Sequence, residues 1–246
     1  MENLMDVKNK WTLITGASRG VGKEIAKFMA KQGSNLILQS RSTQHTQKLV
    51  EDLEREVSVK AFSCDLESED SISKFLSGVD DLQVEVDIVF NNAGLQVPYC
   101  ENYFQNKRED YLTSYAVNCL APIQIAYHFL PKMVEKKFGR IIMTSSGIAD
   151  QPELMGYACA KAALTKFVQD FACKLNGTNV MMNAMDPGWL RTDLGGPNAP
   201  NPVESVLPGA VLGAFLEDQK SGRWFSAQDY AFMELKEALQ KAMQKN

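Results

Sequence analysis

The sequence predicts a single α/β domain whose short strands and longer helices alternate to build a parallel sheet, and three observations point there. Apolar runs too short for helices occur at 11–15, 35–40, 59–64, 86–91, 140–144, 179–184 and, more weakly, 223–226. They alternate with longer amphipathic stretches at 20–32, 43–56, 69–78, 109–137 and 154–175, the pattern of repeated βα units. The length of 246 residues, 45% of them hydrophobic, suffices for one sizeable core, and no linker-like segment divides residues 1–246.

Each element has a local reason. In the first helix Val21, Ile25, Phe28 and Met29 recur at helical spacing, and Gly33 sits where a left-handed C-terminal cap belongs. The 109–137 segment carries Pro122 and Pro131, which predict a kink or interruption at each. From 187 to 208 the sequence PGWLRTDLGGPNAPNPVESVLP is too rich in Pro, Gly and Asn for a strand or long helix, and reads as a lid over a substrate site. Residues 231–245 have the spacing of a terminal helix.

Composition excludes several classes of function. A net charge of −4 with scattered Lys and Arg gives no basic field, so neither nucleic acid nor an anionic membrane is an expected partner. The beginning, MENLMDVKNKW, lacks the apolar core of a signal peptide, and no later run is long enough to span a bilayer; a soluble, cytoplasmic protein is expected. Cys64, Cys100, Cys119, Cys159 and Cys173 are dispersed and only His45 and His128 accompany them, so neither a disulfide framework nor a metal site is expected.

The stretch TLITGASRGVG places Gly16, Gly20 and Gly22 between the first strand and the first helix. Backbone N–H groups and the positive helix end can there receive a pyrophosphate, which a Cβ would hold off. At the end of the second strand, where an acid would accept hydrogen bonds from the ribose 2′-hydroxyl of NAD, stands Leu38-Gln39-Ser40-Arg41. Arg41, together with Arg19 of the glycine turn, suits a 2′-phosphate, so the expected cofactor is NADP(H). At about 1.5–3 kcal/mol for each charge-assisted hydrogen bond, one such Arg favours NADPH by roughly tenfold or more.

Two further stretches carry polar residues at strand ends. In IVFNNAG, Asn91 and Asn92 can brace the strand end or touch a cofactor. In MTSSGIADQPELMGYACAK, Tyr157 and Lys161 are four residues apart on a helix and share one face. A phenol is a poor acid–base group at neutral pH, and a nearby ammonium lowers its pKa. Ser146, with Ser145 as the alternative, can hydrogen-bond a substrate carbonyl or its alkoxide.

With these residues in view, the chain from about Trp11 to Gly222 resembles the short-chain dehydrogenase/reductase family. TGASRGVG is similar to its TGxxxGxG turn, NNAG to the motif after its fourth strand, YACAK to YxxxK and DPGWLRTD to its PGxxxT element; Asn118 and Ser146 match the rest of its Asn–Ser–Tyr–Lys set. The resemblance implies a doubly wound Rossmann-type sheet in the order 3-2-1-4-5-6-7. It also implies catalytic roles for Asn118 (proton relay), Ser146 (substrate oxygen), Tyr157 (general acid) and Lys161 (lowering the Tyr pKa and holding the nicotinamide ribose). Along the cofactor it implies Gly16, Ser18, Arg19, Gly20, Val21, Gly22, Arg41, Asp65, Leu66, Asn92, Ala93, Gly94, Tyr157, Lys161, Pro187, Gly188 and Thr192. Asp65 takes the adenine amino group and Thr192 the carboxamide.

The expected activity is reversible reduction of a ketone or aldehyde, on a 3-oxoacyl, steroid-like or small carbonyl substrate. The alternative is a silent NADP(H)-binding sensor of the same fold. Small residues at Ala158, Cys159, Ala160, Ala162 and Ala163, with the family's habit of pairing through helices after the fourth and fifth strands, suggest a homo-oligomer, dimer or tetramer. Two departures stand out: the Ser146–Tyr157 connection is two residues shorter than is common, and GRWFSAQDY replaces the usual glycine-rich C-terminal strand ending.

Overall fold

Side-chain alternation along buried strands decides the architecture, because a strand apolar on both faces must be covered on both. The computed structural model describes residues 5–244. Its strands are β1 (Trp11–Ile14), β2 (Asn35–Ser40), β3 (Val59–Ser63), β4 (Val86–Asn91), β5 (Gly139–Thr144), β6 (Val180–Asp186) and β7 (Trp224–Ser226). They form one sheet in the order β3-β2-β1-β4-β5-β6-β7, with every pairing parallel. The sheet is the doubly wound one that the resemblance implies.

One face buries Ile14, Leu36, Leu38, Phe90 and Ile142 under α1 (Gly20–Lys31), α2 (Gln47–Leu53), the short α7 (Leu212–Phe215) and the terminal α8 (Leu235–Gln244). The other buries Leu13, Ile37, Val89, Ile141 and Met182 under α3 (Glu69–Asp80), α5 (Ala121–Glu135) and α6 (Met155–Phe171). Helix α4 (Arg108–Tyr115) packs on α6, where a Cβ added to Gly156 would lie 3.1 Å from the Asp110 carbonyl. Gly33 has φ +82°, the left-handed cap expected after the first helix.

Several boundaries differ from the sequence reading. The 43–56 stretch opens as a 3-10 turn, Thr43–His45, and is α-helical only from Gln47 to Leu53. Residues 172–175 continue α6 as a 3-10 turn. The terminal helix starts at Leu235 rather than at residue 231, because Phe232 takes φ 60°, which helical backbone does not allow; Lys245 lies outside the described residues. Of the kink or interruption expected at each proline of the 109–137 segment, the one at Pro122 appears just upstream of it as the π-helical turn Ala116–Leu120, whereas α5 runs uninterrupted through Pro131. Pro122 cannot donate to the carbonyl four residues back, and its ring crowds that carbonyl; the wider π turn makes the room. Asn118 is at the centre of that turn and fully buried. The strand β6 extends two residues beyond the expected stretch, and Asp186 is therefore a strand end instead of a loop residue.

Candidate active site

The carboxyl ends of β1 and β4 meet at the centre of the sheet, and their loops are bound to each other. Thr15 Oγ1 accepts from the backbone N–H groups of both Asn92 and Ala93, each at 3.0 Å. Asn92 Nδ2 donates to Thr15 O at 3.0 Å and Gly16 O at 3.4 Å. A Cβ added to Gly16, which has φ +65°, would lie 2.8 Å from Ala93 Cα. Of the two roles open to Asn91 and Asn92, the structure shows bracing: Asn91 Nδ2 donates to Pro122 O at 3.2 Å and so ties β4 to α5.

The glycine turn is also fixed from β2. Gln39 Oε1 accepts from Gly16 N at 3.1 Å while its Nε2 donates to Cys64 O at 2.8 Å. Sequence reading assigned Gln39 no role; its only signal was an amide inside an apolar strand. The N-terminus of α1 has no side-chain cap and no acid in its first turn, so its leading N–H groups are available to an anion. A Cβ on Gly22 would collide with the Gly16 carbonyl. These features fit a dinucleotide pyrophosphate. Arg19 and Arg41 are exposed, Ser18, Gly20 and Val21 partly so, and Asp65 is exposed after β3 with Leu66 buried beside it.

Across the rim, Lys161 is buried on α6, and its Nζ donates to Thr144 O at 2.6 Å. Burial pulls its pKa down to about 8, against the opposing pull of Cys119 and Asp186. Asn118 grips the NNAG loop through both ends of its amide: Leu95 N donates to Oδ1 at 2.9 Å, and Nδ2 donates to Leu95 O at 2.7 Å. Between them lies Gly94, where an added Cβ would sit 3.4 Å from Asn118 Oδ1 and 3.7 Å from Lys161 Nζ. A side chain there would press on both groups, so the glycine leaves the space in front of them open.

Tyr157 is 8% exposed, with Ser146 beside its phenol. Burial pushes its phenol above the ordinary value; the Ser146 hydroxyl opposes this and the Asp186 carboxylate adds to it. Ser146 Oγ also accepts from Ile148 N at 3.2 Å. Ser145 points the other way: its hydroxyl is buried against Thr165 and Lys161 O. The short Ser146–Tyr157 connection thus still brings these two side chains together.

Asp186 escaped the sequence reading, where it stood as one acid in NAMDPG. It is 9% exposed, and its Oδ1 accepts from Gly188 N at 3.0 Å. Burial raises its pKa, while N–H groups of Gly188 and Gly147 and the Lys161 charge lower it. Its carboxylate thereby links the loop behind Ser146 to the one bearing Pro187 and Gly188. Trp224 lies alongside, 3.5 Å or less from a Cβ built on Gly147. A cavity of about 510 Å³ lined by Asp80, Val86 and Lys136 is elsewhere, at the amino end of β4. Among the described residues no cluster of His, Cys, Asp and Glu could hold a metal, and no helix is long and apolar enough to cross a membrane.

Residues 10–202 match the short chain dehydrogenase family. The chain belongs to that family. Short-chain dehydrogenases are NAD(P)-dependent oxidoreductases, and the braced glycine turn and the Asn118–Ser146–Tyr157–Lys161 cluster lie within the matched span. The 3-oxoacyl-[acyl-carrier-protein] reductase FabG of Aquifex aeolicus is 28% identical, over 92% of this chain and 90% of its own. A metagenomic short-chain oxidoreductase solved in complex with NADP has a TM-score of 0.69 and 26% identity, covering 74% of this chain and 84% of its own. A 3-oxoacyl-[acyl-carrier protein] reductase of Brucella melitensis with bound NAD has a TM-score of 0.79 over 90% of each chain; at 22% identity it shares the fold.

The buried ammonium has a thermodynamic signature. Between about pH 8 and its unfolded value of 10.5, Lys161 is protonated in the unfolded chain and largely neutral in the folded one. The unfolded state then binds more protons, so stability rises with pH across that window. Urea unfolding should show the wild type gaining on the order of 2 kcal/mol relative to Lys161→Met between pH 8 and pH 10. Parallel pH profiles for the two proteins would contradict it.

Proposed function

We propose that this short-chain dehydrogenase reduces a ketone or aldehyde with NADPH, reversibly, and that Tyr157 is its general acid. The observation that carries the reading is the placement of Ser146 beside the Tyr157 phenol and of a buried Lys161 one helical turn on, on the same sheet rim as the uncapped glycine turn. Bound NADPH would supply the hydride. Ser146 would donate to the substrate oxygen and hold it against the Tyr157 hydroxyl. Burial keeps that phenol protonated at neutral pH, the state required to give a proton to an oxygen gaining negative charge. Lys161 would stabilise the phenolate left behind and bind the nicotinamide ribose, and Asn118 would hold the NNAG loop and support proton return.

The pocket would be walled by Trp189, Leu194 and Tyr99, all substantially exposed, with Trp224 beside Gly147. Those walls suit an acyl, steroid-like or small aromatic carbonyl compound, and the FabG relative favours the first. Asp65 and Thr192 would take the adenine amino group and the carboxamide, with Leu66, Pro187 and Gly188 lining the cofactor. For the 2′-phosphate the reading relies on Arg41 and Arg19, and the NADP-bound relative supports it. We also propose a homo-oligomer built on α4 to α6, where Leu112, Leu120 and Tyr127 are more than half exposed.

With a panel of carbonyl compounds and NADPH absorbance as readout, Tyr157→Phe should lose at least about 100-fold in kcat while binding NADPH nearly normally. Retention of most activity would refute the mechanism. Arg41→Ala should raise the Michaelis constant for NADPH by roughly tenfold and leave NADH much less affected; equal effects would remove Arg41 from cofactor choice. Light scattering at micromolar concentration should report a dimer or larger, and a monomer would defeat the assembly.

A further inference from the structure

Of the two guanidinium groups assigned to the 2′-phosphate, one is already engaged. Arg41 is exposed and forms no ion pair with any described residue. Arg19 Nη1, in contrast, is 2.5 Å from Asp193 Oδ2. Asp193 belongs to the lid that follows β6, so this ion pair joins the lid to the glycine turn from 174 residues away.

A fixed loop presents that carboxylate. Arg191 N donates to Asn201 O at 2.8 Å, and its guanidinium donates to Ala199 O and Pro200 O at 3.0 and 2.7 Å. Trp189 Nε1 donates to Gly195 O at 2.7 Å, and Gly195 N donates to Thr192 Oγ1 at 3.1 Å. Thr192, the neighbour of Asp193, lies over the turn itself: a Cβ on Gly20 would be 3.4 Å from Thr192 Cγ2. The lid therefore brings an anion to the guanidinium that a phosphorylated cofactor needs, and brings none to Arg41.

We propose that Asp193 is a specificity-determining residue, which competes with the 2′-phosphate for Arg19 and so moderates the preference for NADPH over NADH. The proposal rests on the reading that Arg19 and Arg41 receive that phosphate. A 2′-phosphate must displace the carboxylate or share the guanidinium with it, and sharing sets two anions against one cation. A cofactor with a free 2′-hydroxyl leaves the pair intact. Side-chain exposures of 63% and 68% make the pair strongly screened, so the expected effect is a few-fold and falls with salt.

Calorimetric titration of the full chain with NADPH and with NADH, at low salt and without any carbonyl compound, tests this. Asp193→Asn should tighten NADPH binding roughly threefold to fivefold and change NADH binding by less than about twofold. In an Arg19→Gln background the same substitution should give no gain. The role of Asp193 is overturned if NADPH binding is unchanged or weakened, if both cofactors shift equally, or if the gain survives without Arg19. Failure of the underlying cofactor reading looks different: the wild type would bind NADH as tightly as NADPH, and Arg41→Ala would alter neither.

Discussion

Everything at the site depends on the hydrogen bonds that close the seam between β1 and β4. The chain reverses its winding there, helices leave to opposite faces, and a crevice opens at the carboxyl ends of the strands. Thr15 and Asn92 span that seam, accepting and donating to the backbone of the opposite loop. Gln39 extends the same brace to β2 and β3. The glycine turn is thereby held as a rigid cradle, which suits anion binding because donors fixed in advance need no ordering when the ligand arrives.

The opposite side of the crevice is organised by a charge placed where charge is costly. Lys161 is buried, held by a single backbone carbonyl from β5, and faces the open space kept by Gly94. A fold selected only for stability would place an apolar side chain there. The burial of Tyr157 and Asp186 beside it follows the same pattern, with desolvation raising both pKa values. Such clustering of shifted groups is what acid–base chemistry needs.

The lid differs in kind from both. Its backbone is knitted internally by Thr192, Arg191 and Asn201, and it reaches the glycine turn through the solvent-exposed Arg19–Asp193 ion pair. Interactions of that strength can be broken and remade by a ligand. The loop itself is anchored, since Leu190 and Val206 are buried in the core and Gln228 holds both Pro187 O and Ser205, so it is the ion pair rather than the whole loop that a ligand can displace.

The alternation of apolar runs and amphipathic stretches determined the sheet, since both signals are local and periodic. The glycine turn, Ser146, Tyr157 and Lys161 were legible for a similar reason, since they fall in short motifs whose spacing is set by a strand end or a helical turn, whereas Asn118 was legible only through the family resemblance. Tertiary structure alone decided what no spacing encodes. The π turn around Asn118 accommodates Pro122, whose carbonyl Asn91 holds against β4, a contact between residues 31 apart that no local pattern announces. Of Ser145 and Ser146, the first has its hydroxyl against Thr165 and the second lies beside Tyr157, a difference that adjacent identical residues cannot announce. Asp186 at the site, Gln39 under the turn and Asp193 on Arg19 involve residues far apart in the chain, and only the folded arrangement brings them together.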